Sequence, residues 1–242
     1  MLFVINIGNT HIQHGVSDGK GAIMELSSIP TSEFLSLPIP EDMPVAAASV
    51  VPKVRESLSV LHPEIFWLTS AEKTGLDLSG VDAAALGSDR IANAIALAEE
   101  GPLPAICVDC GTAITFEAVS KERHFAGGAI LPGRTLQRRA LRDYTAQLPL
   151  APLGETPPAK LGTNTMAAIS LGIDGGLVGA LRSLLKQMAE TLGSDSCRML
   201  AVGGDASFFV KAIPELNYGG EDFTLRGLAH AWQLNNKGEI GL

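Results

Sequence analysis

The sequence predicts an α/β protein built from two like halves, on three observations. Apolar runs of strand length alternate with segments of helical spacing, 46% of the 242 residues are hydrophobic against 18% charged, and one strand–turn–strand pattern occurs twice. In order, residues 2–7 are a continuous apolar run, 12–16 follow a polar turn, and 22–29 form a third strand before Pro30. The first seventy residues read as strand, strand, strand, helix, strand, helix, strand. Residues 45–51 are a buried strand, 53–61 have helical spacing through Val54, Leu58 and Leu61, and 65–68 close the unit.

A Gly- and Ala-rich connection (74–87) leads to a helix over 89–99 with Ile91, Ala94, Ile95 and Ala98 on one face. Strands at 105–108, 114–119 and 125–131 then repeat the opening pattern. Helices follow over 136–143 and 163–192, then a strand at 198–202 and helices around Phe208 and over 225–234.

The repeat is legible residue by residue. VINIGNTHIQHGV (4–16) and CVDCGTAITFEAV (107–119) each run as apolar strand, polar residue, spacer, glycine, threonine and second strand, with one extra residue in the first copy. Asn6 matches Asp109, Gly8 matches Gly111 and Thr10 matches Thr112. Two like halves facing each other across a cleft are the expected architecture. The boundary falls near 75–88, giving halves 1–80 and 81–242.

Acidic residues outnumber basic ones 26 to 18, for a net charge of −8, which argues against nucleic-acid binding. An anionic ligand therefore needs local devices: backbone amides, helix N-termini or a bound cation. The N-terminus lacks the basic region and cleavage pattern of a signal peptide, so a cytoplasmic location is expected. The weakly charged stretch 169–185 contains Asp174, Arg182 and four glycines, and reads as a close-packed helix rather than a membrane span. Cys107 and Cys110 sit three apart on a strand and so point to opposite faces, which disfavours redox or zinc use; His11 and His14 fail as a metal pair by the same geometry.

A glycine turn between strands lets backbone approach a ligand, and its N–H groups with a Thr hydroxyl suit phosphate oxygens. An acid two positions before the glycine, as in Asp109-x-Gly111-Thr112, can carry a hydrated cation against them. Either turn alone is as well explained as a plain hairpin; the pair favours phosphate. Gly203 and Gly204 follow a buried strand, where a base or ribose could lie on bare backbone, or where an ordinary strand-to-helix turn needs them. Gly87-Ser88-Asp89-Arg90 opens a helix: Ser88 or Asp89 is a candidate cap, and alternatively Asp89 is a proton acceptor beside a guanidinium that pairs with an acidic substrate.

These segments together resemble the type III pantothenate kinases of the sugar-kinase, actin and heat-shock ATPase superfamily. INIGNT is similar to the first phosphate motif D-x-G-N-T, AAASVVP to A-S-V-V-P, GSDRIAN to G-A-D-R-x-x-N, VDCGTAITF to the second phosphate motif, FAGGAILPG to G-G-x-I-x-P-G and LGTNTMAA to G-x-N-T-x-x-A. The resemblance implies ribonuclease H-like halves, each a mixed sheet flanked by helices, and phosphorylation of pantothenate by ATP. It implies ATP at Asn6, Gly8, Asn9, Thr10, Gln13, Gly111 and Thr112, with Gly203 and Gly204 beside the nucleotide. It further implies Mg²⁺, a monovalent cation (K⁺ or NH₄⁺) at Asp109, substrate at Gly87, Ser88, Asp89, Arg90 and Thr165, Asp89 as the base, and a homodimer that completes the pantothenate pocket. Two departures stand out: Asn6 replaces the family's Asp, and Gly80-Val81-Asp82-Ala83 replaces a Tyr-Asp-Asn-Pro segment. They keep open a catalytically weakened paralogue that binds nucleotide or an acidic metabolite as an accessory protein, and a kinase for a related hydroxy acid.

Overall fold

The computed structural model describes residues 1–18, 21–193 and 196–236. The strands are β1 (Leu2–Ile7), β2 (His11–Ser17), β3 (Ile23–Pro30), β4 (Val45–Ser49), β5 (Phe66–Trp67), β6 (Ala105–Cys110), β7 (Ala113–Val119), β8 (Phe125–Gly127), β9 (Ile130–Pro132), β10 (Arg198–Val202) and β11 (Asn217–Tyr218). The helices are α1 (Pro52–Leu61), α2 (Ser88–Glu99), α3 (Arg134–Asp143), α4 (Thr165–Ser170), α5 (Gly176–Thr191), α6 (Ala206–Ala212) and α7 (Phe223–Asn236).

Two sheets share one plan. The first has the order β3-β2-β1-β4-β5, the second β11-β10-β6-β7-β8 with β9 also paired to β7. In the first, β1 and β2 form an antiparallel hairpin and β4 runs parallel to β1; in the second, β10 runs parallel to β6 and β11 parallel to β10. The duplication read from the sequence is therefore a duplication of sheet topology.

The chain forms two compact units: residues 1–103, 119–126 and 222–242, and residues 104–118 and 127–221. They do not coincide with halves of 1–80 and 81–242, because α2 and α7 pack on the first sheet. In β1, Leu2 and Val4 face α2 and α7 through Ile91, Ile95, Leu225 and Leu228, while Phe3, Ile5 and Ile7 face α1 through Val54 and Leu58. The strand is buried on both faces, which is why it reads as an unbroken apolar run. Burying one such side chain contributes about 1.5–3 kcal/mol. A hydrogen bond from Thr224 Oγ1 to Asn93 Oδ1 (2.8 Å), both buried, fixes α7 on α2.

The second unit buries Ile106, Val108 and Cys110 of β6 against Leu177, Leu181 and Leu185 of α5 and Phe208 and Phe209 of α6. Cys107 lies outside that cluster, as expected for residues three apart on a strand. Burial pushes both thiols well above their ordinary pKa, so neither supplies a reactive thiolate at neutral pH.

The helix expected between the third and fourth strands is a short 3₁₀ helix, Thr31–Ser36, and two elements differ from expectation. The strand expected over 125–131 is two short strands, because Gly127 takes φ +112° and breaks the run. The helix expected over 163–192 contains one π turn, Leu171–Gly175, between α4 and α5. This helix, Thr165–Thr191, is long and apolar enough by composition to cross a membrane, yet Ile169, Ile173, Leu177, Leu181 and Leu185 seat one face of it in the core.

Candidate active site

In the first unit the turn after β1 is closed by a hydrogen bond from the Gly8 N–H to His11 O (3.0 Å). Thr31 braces it from outside: its hydroxyl donates to Gly8 O (2.8 Å) and its N–H to Thr10 O (3.0 Å). Asn9 and Thr10 are exposed on the turn, and Asn6 stands directly opposite Gln13 in the β1–β2 register. Asn6 shares the face of β1 that carries Leu2 and Val4, the face covered by α2.

The N-terminus of α2 is anchored at the same end of the sheet. Ser49 ends β4 beside Ile7, and its N–H donates to Ser88 Oγ (2.9 Å) while Ser88 Oγ donates to Ser49 O (3.1 Å). The Ser88 hydroxyl is thus engaged with β4 rather than capping α2, whose N-cap residue, Gly87, makes no side-chain bond. This places Asp89 and Arg90 at the end of the sheet from which the first turn projects. Asp89 Oδ1 accepts the Arg90 N–H (2.7 Å). Burial pushes the Asp89 carboxyl above the usual carboxylate range, while the Arg90 N–H and guanidinium oppose that shift. A carboxylate raised in this way is a stronger proton acceptor. The Arg90 guanidinium stands over the ring of Phe125 at 5.9 Å, an aromatic contact the sequence did not reveal.

The second unit carries the matching turn. The Gly111 N–H donates to Ala113 O (3.1 Å), with Gly111 and Thr112 exposed. Two segments pack against it. The Gly133 N–H, just before α3, donates to Thr112 O (2.9 Å), and a Cβ at Gly133 would lie 2.2 Å from Gly111 O, so only glycine fits. The Asp205 N–H donates to Cys110 O (2.9 Å). Gly203 has φ +85°, and a Cβ there would meet Asp109 Oδ1 at 2.5 Å. Asp109, Gly111, Thr112, Gly203 and Gly204 therefore form one cluster. Thr165 opens α4 with an exposed side chain, next to Asn164, whose side chain accepts the Ala167 N–H (2.9 Å) as a cap.

Gly203 is packed directly on the Asp109 carboxylate, whereas Gly204 has open space where a Cβ would stand, and carboxylate oxygen is the donor that suits a hard cation. Among the described residues no group of three or more His, Cys, Asp or Glu could hold a metal, so a cation at Asp109 would need the rest of its shell from ligand and water.

Two mixed sheets of one strand order, each opening on a glycine hairpin, define the duplicated ribonuclease H-like fold. Solved structures share it. A Baf family protein from Campylobacter jejuni is similar over 97% of this chain and 99% of its own, with a TM-score of 0.70 and 19% identity. The activator of the 2-hydroxyisocaproyl-CoA dehydratase from Clostridium difficile, solved with bound ADPNP, is similar over 94% of this chain and 93% of its own, with a TM-score of 0.56 and 13% identity. The family model for type III pantothenate kinase matches residues 2–187. A type III pantothenate kinase from Legionella pneumophila (strain Corby) is 36% identical over 232 residues, covering 87% of this chain and 90% of that protein. This chain belongs to the type III pantothenate kinase family.

Proposed function

We propose that the chain transfers the γ-phosphoryl group of ATP to the primary hydroxyl of pantothenate, giving 4′-phosphopantothenate and ADP, the first step of coenzyme A biosynthesis. The observation that carries this reading is a carboxyl held above its usual range, Asp89, at the sheet end that bears the Gly8 turn, in a chain of this family. The hydroxyl oxygen bonds to the γ-phosphorus, the bond from that phosphorus to the bridging oxygen of ADP breaks, and the hydroxyl proton passes to Asp89. Such a base contributes about 10²- to 10⁴-fold in rate.

The turn residues Asn6, Gly8, Asn9, Thr10 and Gln13, and Gly111 with Thr112, are the proposed phosphate contacts: side-chain amides and hydroxyls donate, and the two glycines, whose own N–H groups close the turns, let the phosphate oxygens approach the backbone. Gly204, with open space where a Cβ would stand, offers bare backbone to the nucleoside, and Gly203 makes the positive-φ turn that presents it. For pantothenate the proposed contacts are Gly87 and the backbone of Ser88 beside Asp89, with Arg90 pairing the substrate carboxylate, and, in the second unit, Thr165. Asp109 would hold a monovalent cation, K⁺ or NH₄⁺, and Asn6 a hydrated Mg²⁺. Held there, these cations would neutralise the charge that phosphoryl transfer concentrates between the oxygens.

The enzyme acts in the cytoplasm as a homodimer. The outer face of α4 and α5 supports the second statement: Gly172, Gly176 and Gly179 have open space where a Cβ would stand, and Met166 and the neighbouring Leu161 are exposed. A second copy on this face would adjoin Thr165, at the start of the same helix. One observation favours a second reading, a weakened paralogue: Asn6 is neutral where its counterpart Asp109 is charged.

The test incubates the purified protein with Mg-ATP, K⁺ and pantothenate and assays phosphopantothenate by mass spectrometry. Product is expected. Its absence at high enzyme concentration, with other hydroxy acids equally silent, overturns the kinase reading.

A further inference from the structure

Arg134 is only 2% exposed, and its guanidinium joins three segments distant in sequence. Nε donates to Asp174 Oδ1 (2.9 Å), Nη1 to Asp205 Oδ1 (2.9 Å), and Nη2 to Gly154 O (2.7 Å) and Asp174 Oδ2 (3.3 Å). The guanidinium carbon lies 3.6 Å from the centre of the Phe208 ring. Arg138, equally buried, donates from Nη2 to Asp174 Oδ2 (2.9 Å), so two arginines and two aspartates form a neutral cluster. Asp174 itself sits on the π turn, a distortion that turns its carboxylate toward α3.

Buried ion pairs rarely stabilise a fold more than apolar residues of the same size would, and the best-attested gain is a defined geometry. Here that geometry has an address. Arg134 follows Gly133, whose N–H holds Thr112 O of the second phosphate turn, and its side chain holds Asp205, whose N–H holds Cys110 O on the other side of that turn. One residue thus ties the turn of Gly111 and Thr112 to the loop of Gly203 and Gly204 through backbone on one flank and side chain on the other.

We propose that Arg134, seated by Asp174, is a positioning residue for nucleotide: it sets the Gly203–Gly204 loop against the Gly111 turn so that both meet the same nucleoside triphosphate. The inference rests on the reading that these two segments bind nucleotide. A lysine at 134 presents one point charge and loses the fork that spans Asp174 and Asp205.

The test uses Asp205→Asn and Arg134→Lys in the full chain, with calorimetric titration of Mg-ADP and steady-state KM for ATP and for pantothenate. Asp205 is partly exposed (19%), so its variant folds even if the buried arginine proves intolerant of change. Each variant should weaken Mg-ADP about tenfold and raise KM for ATP alike, and the double variant should be no weaker than the weaker single, as for members of one network. KM for pantothenate should stay within about twofold. Parent-like Mg-ADP affinity in a folded Asp205→Asn variant overturns the positioning role. An equal rise in both KM values also overturns it, since that marks a general structural defect. A parent protein that binds no Mg-ADP instead defeats the underlying nucleotide reading, and the inference falls with it.

Discussion

Asn6 and Asp109 occupy the same position in two matching hairpins: each is the penultimate residue of its first strand, two residues before a glycine whose N–H closes the turn. The equivalence makes the missing charge at Asn6 a measurable quantity. Asparagine keeps one acceptor oxygen but not the charge that attracts a hydrated divalent ion. The Asn6→Asp variant should therefore reach half-maximal activity at about tenfold lower Mg²⁺, the scale of an outer-shell contact, as read from activity against Mg²⁺ concentration. An unchanged Mg²⁺ profile would remove Asn6 from the metal's surroundings.

The raised pKa of Asp89 sets a pH profile. If Asp89 is the base it must be deprotonated, so kcat/KM should climb with pH and level off, with its midpoint above the ordinary value of 3.8. Stability should respond in the opposite sense. Between 3.8 and the raised value the folded chain binds the proton more tightly than the unfolded one, so the Asp89 contribution to stability declines as pH rises through that window. Thermal unfolding of parent and Asp89→Asn proteins across the acid range should show that decline in the parent alone.

Ser88 holds α2 to β4 through two hydrogen bonds to Ser49. Ser88→Ala leaves a backbone N–H and C=O short of their partner, at a cost of about 1–3 kcal/mol. Since Asp89 is the next residue, kcat should fall while KM for ATP holds. Denaturant titration and initial rates check the two parts separately.

Gly203 combines positive φ with the close approach of Asp109. Gly203→Ala should destabilise the second unit by about 1–3 kcal/mol through backbone strain alone and weaken Mg-ADP as Asp109 is displaced. Melting curves and Mg-ADP titration check it, and parent-like values in both would place the ligand elsewhere.

Much of the candidate functional set in each unit is legible in the sequence because its signals are local. Asn6, Gly8, Asp109, Gly111 and Gly203 each sit where an apolar strand run ends, and the repeat of two such ends exposes the duplication. Asp89 is legible as the opening of a helix with an acid and an arginine adjacent. The bracing residues are not, because their partners are remote. Arg134 meets Asp174 and Asp205 across 40 and 71 positions, and Thr31 meets Gly8 across 23. No spacing rule links such pairs. The role of Ser88 was masked for the same reason: a serine at a helix start suggests a cap, and only the fold brings Ser49 within reach. The division at 80/81 follows strand order along the chain, whereas α7 returns from the C-terminal end to pack on the first sheet.

On the proposed reading, Asp89 activates the hydroxyl of pantothenate for phosphoryl transfer from ATP. The most direct measurement is the rate of phosphopantothenate formation, by mass spectrometry, for parent and Asp89→Asn proteins at saturating Mg-ATP, K⁺ and pantothenate, with folding followed by circular dichroism. We expect product from the parent and a loss of about 10²- to 10⁴-fold in a fully folded variant. A folded Asp89→Asn protein that turns over at the parent's rate would show that Asp89 is not the base.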